Sequence, residues 1–497
     1  MAAAGRREEI ELLTGPASQV IGLGGRCVYP GLIDAHMHLE QYALSLDKVD
    51  CETATREECL LRVRARASQT PAGMWILGHG WNQNSWDRYG TAPELDAAAP
   101  NNPVYLTAKS LHAGWANTEA LRRAGIHAST ADPPRGIIGR MPAGEPSGVV
   151  FEEAMALIAA QIAHPTAEHV QEAIDGAQAH LWRLGLTGIH DFDGPRAFRA
   201  IQALWDQRRL GIRVVKHIRR EEAEQALGLG LQTGFGDEWL RTGNLKLFAD
   251  GALGPRTAAM LEAYEGEPGN TGLLARTAEE LAEIGLAAAR SGLALAIHAI
   301  GDRANREALT ALERIRSQEP PGGRLRHRIE HMQLLHPDDM RRAAASGVIA
   351  SMQPIHATSD MAMAEKHWGA RCRTAYAWRS LLDAGTLIAF GSDAPVEPPN
   401  PFLGLHAALT RQRADGEPGG DGWIPSQRIS LTEALTAYTR APAYACGMEG
   451  SLGTLEPGRL ADLFVLDQDL FSLSPDEIAA VRPAGTMVGG DWRFREF

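Results

Sequence analysis

Cysteine is scarce in this chain of 497 residues. Cys27, Cys51, Cys59, Cys372 and Cys446 are odd in number and scattered, and no Cys-x-x-Cys occurs. That argues for reduced thiols in a cytoplasmic protein rather than a disulfide framework. Long apolar runs are also missing. No window approaches 18 uninterrupted apolar residues, so no membrane span is expected, and the opening MAAAGRREEIELL lacks the apolar core of a signal peptide. Positive charge is in deficit, with a formal net charge of −12, which makes nucleic acid or an anionic membrane a poor partner. No Gly-x-Ser-x-Gly elbow offers a serine nucleophile, and no internal repeat or low-complexity segment appears. What remains is an ordinary globular composition, 44% apolar and 22% charged. The length suits two or three domains, or one large barrel with appendages.

Residues 28–39, VYPGLIDAHMHL, organise the rest. They read as a strand that ends with Asp34, His36 and His38 at alternate positions, hence on one face. Two imidazoles pointing the same way can grip one metal ion from one side. Alone the signal is weak, since His-x-His arises by chance about once in two chains of this composition.

Further strands are expected at 187–191, 213–218, 245–250, 293–298, 327–331, 348–353 and 387–393. Helical patterns separate most of them, including one opened by the capping box Thr277-Ala-Glu-Glu280 and one running from His336-Pro-Asp-Asp339 to Gly347. Eight βα units predict an α/β fold, a (β/α)8 TIM barrel. About 150 residues part strands one and two, too many for one connection, so residues 50–180 are expected to form an inserted subdomain over the mouth. Residues 131–147 read as turn-rich loops there. After a helix at 431–444, strand pairs are expected within 450–466 and around Gly489-Gly490, pairing with 17–29 in a small sheet beside the barrel. The divisions are then a barrel over 31–446 and a small domain from 1–30 and 447–497.

Barrel active sites stand where strands end. His36 and His38 end strand one, Lys246 lies in strand four with Asp250 beyond, His298 ends strand five, His331 strand six and Asp393 strand eight. Each has an ordinary structural reading, but six such groups on one mouth are hard to ascribe to coincidence. An unpaired ammonium facing a barrel interior is costly, and reaction of Lys246 with carbon dioxide would relieve it as an anionic carbamate that bridges two cations. Gln353 and His356 end strand seven within reach of the mouth as substrate contacts. Asp34 and Glu330 are candidates to orient ligands, although alternation sends Glu330 to the face opposite His331. His190 and His217 are read as structural.

The segments PGLIDAHMHL, KLFADGALG, AIHAIGDRAN, RIEHMQ, FGSDAPVEPPNP and GSLGTLEPGRLADLFVLD resemble the signatures of the amidohydrolase superfamily, in its large branch (amidohydrolase family 3) containing N-substituted formamide deformylase. The likeness spans nearly residues 20–495. It implies a metal-dependent hydrolase with a distorted barrel and a small β-sandwich built from both chain ends. Carried over residue by residue, it places His36, His38 and Asp393 on one metal, His298 and His331 on a second, and a carboxylated Lys246 between them. Zinc is the expected ion, with manganese, iron or cobalt also compatible with imidazole and carboxylate ligands. Such cations lower the pKa of bound water towards about 7 and polarise a carbonyl, with Asp393 as the general base that later protonates the leaving amine. Trp81 and His112, in the insertion, are further expected substrate contacts.

One departure matters. The branch begins with several sandwich strands that have too few residues here, so the sandwich should be incomplete, as after a late start codon or a true truncation. The reading is hydrolysis of an N-formyl or N-acyl amine, a small-molecule substrate. Its rivals are a mononuclear heterocycle deaminase, which would not need Lys246, and a non-catalytic member, which would usually have lost ligands. A homodimer would be unsurprising for a soluble enzyme.

Overall fold

Eight short segments, most of them apolar runs closed by polar residues, become eight parallel strands in the computed structural model. They are β1 (Leu32–Met37), β2 (Leu186–Asp191), β3 (Arg213–Arg219), β4 (Leu240–Phe248), β5 (Leu295–Ala299), β6 (Arg328–His331), β7 (Ile349–Met352) and β8 (Leu387–Phe390). Each pairs with its neighbour in chain order. Between β8 and β1 the ring closes through a bridge from Met37 to Ala394. There Asp393 N donates to His36 O at 2.7 Å and His38 N to Ala394 O at 2.9 Å. The result is the nearly closed barrel that the strand spacing predicts. The structure describes every residue except 83–85, 87, 109–112, 135 and 320–324. It divides into two units, residues 1–42 with 170–497, and residues 43–169.

The helix signals are largely realised. Thr277 and Glu280 form the reciprocal cap of Ala278–Arg290, and Pro337–Ser346 stops at Gly347 with φ 64°. The single helix expected at 431–444 is instead two, Leu431–Tyr438 and Arg440–Ala445. Pro442 cannot donate to the Tyr438 carbonyl and its ring crowds that oxygen, so the chain breaks at Thr439 (φ −127°, ψ −76°). Beyond the break, Ala443, Cys446, Met448 and Leu452 pack against Ile33 and Val215 in the N-terminal halves of β1 and β3.

Both chain ends build a four-stranded antiparallel sheet in the order Cys27–Pro30, Leu463–Leu466, Gly485–Val488, Asp491–Arg495. Residues 17–26 add no strand, and 450–466 supplies one strand rather than a pair, its first half being spent on turns with Gly453 and Gly458 both at φ 86°. Gly489 and Gly490, at φ 64° and 91°, make the tight hairpin that only residues tolerant of positive φ allow. A buried fork ties this region to the barrel: Arg213 Nε reaches Asp462 Oδ2 at 2.6 Å and Nη2 reaches Oδ1 at 2.8 Å.

Residues 43–169 carry their own six-stranded mixed sheet, ordered Val49–Asp50, Ile76–Trp81, Val104–Ala108, Ala113–Ala116, Pro146–Glu152, Gly136–Arg140. The stretch 131–147, expected as loop, holds one strand and the start of another. Gly136–Arg140 pairs with Pro146–Glu152 around a turn in which Gly144 takes φ 91°.

Candidate metal centre

The ends of β1, β5, β6 and β8 bring five of the sequence-derived ligand candidates together with Lys246 of β4. One atom each of His36, His331 and Asp393 lies within 4.8 Å of the other two. His38 Nε2 and His36 Nε2 both stand 3.4 Å from Asp393 Oδ1. The His331 ring is 4.9 Å from that of His36 and 4.6 Å from that of His298.

The hydrogen bonds fix which nitrogen each ring offers. His36 Nδ1 donates to Glu330 Oε2 at 2.7 Å, since a carboxylate only accepts. Its Nε2 therefore bears the lone pair, and that atom is buried without a hydrogen-bond partner. His331 Nδ1 donates to Gln353 Oε1 at 2.9 Å, leaving the lone pair on Nε2. His298 Nε2 donates to Gly251 O at 2.9 Å, leaving Nδ1. His38 Nδ1 donates to Asp193 Oδ1 at 3.1 Å. Four imidazoles, each held at one nitrogen by a hydrogen bond, stand around a carboxylate, a donor set that suits divalent cations.

Charge follows from burial. Desolvation lowers His36 to about 4 and His298 to about 3, with Lys246 adding to both, so both rings are neutral and able to ligate. His38 is the exception: burial would lower it, but Asp193 and Asp393 raise it to about 9. Burial would raise Asp393, yet His36 and His38 hold it well below the ordinary carboxylate range. Lys246 is 4% exposed, and burial brings its amine down to about 8. Its Nζ lies 4.5 Å from the Phe192 ring centre and 5.1 Å from that of Phe248, with no hydrogen-bond acceptor among the described residues.

The backbone is bent to achieve this. His331 and Asp393 take φ 72° and 60°, left-handed values uncommon for such residues. The turn at His331 breaks strand alternation, so Glu330 faces the barrel interior with it and not the opposite side. Asp34 accepts from His36 N and Ser392 N, both at 3.0 Å, and from the Ser392 hydroxyl, locking β1 to β8. Gly391 is required at that junction, because a Cβ would lie 2.4 Å from His36 N.

The other expected site residues fall variously. Gln353 is occupied in holding His331. His356 Nε2 stands 3.7 Å from Asp393 Oδ2, buried and unpartnered. Trp81 lies in the core of the 43–169 unit, its Nε1 donating to Leu106 O at 2.8 Å. His112 lies outside the described residues. Asp250, beyond Lys246, accepts from the Ala259, Ile300 and Gly301 amides, a loop-anchoring role. His190 and His217 take part in interior packing and hydrogen bonding, with Arg328 Nη1 donating to His190 Nδ1 and Asn244 N to His217 Nδ1, both at 2.8 Å. Sequence reasoning missed Asp193, which accepts from His38 and also from Glu40 N and Gln41 N. It missed Phe192 too, whose ring stacks 4.0 Å from that of His36 and 4.1 Å from that of His217. The signal for both was the run HDFD closing β2.

The sequence pattern of the Amidohydrolase family matches residues 19–494. Protein LONG AFTER FAR-RED 3 of Arabidopsis thaliana is 35% identical, over 96% of this chain and 84% of its own length. The N-substituted formamide deformylase of Arthrobacter pascens is 28% identical, over 99% of this chain and 93% of its own. Among solved structures, an uncharacterized metal-dependent hydrolase from Pyrococcus furiosus superposes with a TM-score of 0.74 at 29% identity, covering 93% of this chain and 91% of that one.

Proposed function

The chain belongs to the Amidohydrolase family of metal-dependent hydrolases, and on that premise we propose that it cleaves a non-peptide amide-type C–N bond, in an N-formyl or N-acyl amine, at a site for two divalent cations, zinc first among them. The observation that carries the reading is Lys246. A lysine amine buried in the barrel interior, without an acceptor among the described residues and with its pKa brought down to about 8, has chemical use as a neutral nucleophile towards carbon dioxide. Its Nζ forms a bond to the carbon and releases one proton, leaving a carbamate with two oxygens. His36, His38 and Asp393 would hold one cation, His298 and His331 the other, with the carbamate shared. The likeness to a formamide deformylase over nearly the whole length of both chains supports the choice of bond.

When bound, such cations supply Lewis acidity, which acidifies water and polarises an amide carbonyl. The chain does the rest. Asp393, ionised by its histidine neighbours, takes the proton of the attacking water on a carboxylate oxygen and returns it to the departing nitrogen. Glu330, Gln353, Asp193 and the Gly251 carbonyl keep the four imidazoles in their ligating tautomers. His356, unpartnered at Nε2 and 3.7 Å from Asp393 Oδ2, is placed to hydrogen-bond the substrate.

A second reading, a mononuclear heterocycle deaminase, draws on the tight group of His36, His331 and Asp393. Elemental analysis of freshly purified protein separates the two. Close to two metals per chain, falling sharply in Lys246→Ala, is the expected result. One metal, unchanged in the variant, would sink the shared carbamate and favour the deaminase.

A further inference from the structure

Below the ligands, where barrel interiors normally stack branched apolar side chains in layers, this barrel holds an ion pair. Arg328 and Glu330, both of β6, are 1% and 0% exposed. Arg328 Nε donates to Glu330 Oε1 and Nη2 to Oε2 at 3.0 Å. The same guanidinium reaches Ala35 O of β1 at 2.6 Å, the Ser351 hydroxyl of β7, and His190 Nδ1 of β2 at 2.8 Å. Four strands are thus joined through one planar cation. A buried pair of this kind gives little or no net stability over an apolar pair of the same volume, so stability alone does not account for it.

Its far end does. The Glu330 oxygen that accepts from Arg328 Nη2 is also the one that accepts from His36 Nδ1, at 2.7 Å. Phe192 stacked 4.0 Å away removes the ring's other freedom. We infer that the Arg328–Glu330 pair is a positioning device for His36: the guanidinium fork holds the Glu330 carboxylate in place, and that carboxylate fixes the His36 tautomer and makes its Nε2 a stronger metal ligand. Glu330 touches neither substrate nor metal in this scheme; it acts through His36. The inference rests on the reading of His36 as a ligand. It assigns to Arg328, a residue with no chemical signature in the sequence, a place in metal affinity.

The test is metal affinity rather than turnover. Wild type, Glu330→Gln and Arg328→Lys are stripped of metal, then titrated with Zn2+ against a chelator of known affinity, and with Co2+ to follow its visible spectrum. Glu330→Gln keeps an oxygen for His36 Nδ1 but removes the charge, and should weaken binding about 10–100-fold with an altered cobalt spectrum. Arg328→Lys, which keeps charge but not the planar fork, should weaken it less. Because Glu330→Gln leaves a lone buried cation, the double variant Arg328→Met with Glu330→Gln removes both charges, and it should show the same loss of affinity in a chain that still folds cooperatively. Wild-type affinity and spectrum in the double variant, or losses confined to the thermal midpoint of the metal-free chain, would overturn the inference while leaving the hydrolase reading intact. A wild-type chain that takes up no metal would overturn both.

Discussion

Removing carbon dioxide should disable the site, and the pH at which it recovers should be set by Lys246. The amine stands beside the Phe192 and Phe248 rings, and burial lowers its pKa from 10.5 to about 8. Only the neutral amine attacks carbon dioxide. At pH 7 the neutral fraction is then on the order of 10%, against about 0.03% for an unperturbed lysine, a gain of roughly 300-fold. The sign for stability is equally definite. A lysine whose pKa falls on folding costs the metal-free chain stability in full below about pH 8, and that cost fades as pH rises towards 10.5. The assay strips the protein of metal in carbon dioxide-free buffer, then adds Zn2+ with and without dissolved carbon dioxide at fixed concentration, following bound metal and a 13C carbamate resonance. Reloading to two metals should require carbon dioxide, its rate rising about tenfold from pH 6 to pH 7 and levelling above pH 8. Equal reloading without carbon dioxide, or a rate flat from pH 6 to 9, would refute the reasoning.

Asp462→Asn leaves the Arg213 guanidinium buried without a counter-charge, although Glu238 O and the Trp239 face still receive it. The expected loss is about 3 kcal/mol, read by denaturant unfolding, and Arg213→Met with Asp462→Leu should recover most of it. In the 43–169 unit, burial would raise Glu94, but hydrogen bonds from Arg88 and Thr91 lower it from 4.5 to about 2. Its contribution is therefore present above pH 4.5 and lost as pH falls through about 2. Glu94→Gln should flatten that part of an acid titration followed by the fluorescence of this unit's tryptophans, and an unchanged curve would count against the pairing.

Strand positions were legible because most barrel strands are short apolar runs punctuated by a polar end, a pattern local enough to read from one chain. The ligand candidates were legible for the same reason, since His36, His298, His331 and Asp393 all sit at those ends. What holds them was legible only in part, in Asp34 and Glu330. Asp193 supports His38 across about 155 residues of sequence, and Arg328 joins four strands, contacts that no spacing rule encodes. Alternation misdirected Glu330 because the left-handed turn at His331 lies outside that rule. The helix break at Thr439 was readable in principle, since Pro442 forbids the continuous helix that the apolar periodicity suggests.

The most direct test of the account is amine release from a panel of N-formyl and N-acyl amines, run beside ammonia release from aminated heterocycles. Metal-loaded wild type should liberate the amine. Chelation should abolish turnover and metal should restore it. Asp393→Asn should lower kcat at least 100-fold with the thermal midpoint retained. Ammonia from a heterocycle with the amides untouched, or amide cleavage indifferent to chelation, would contradict it.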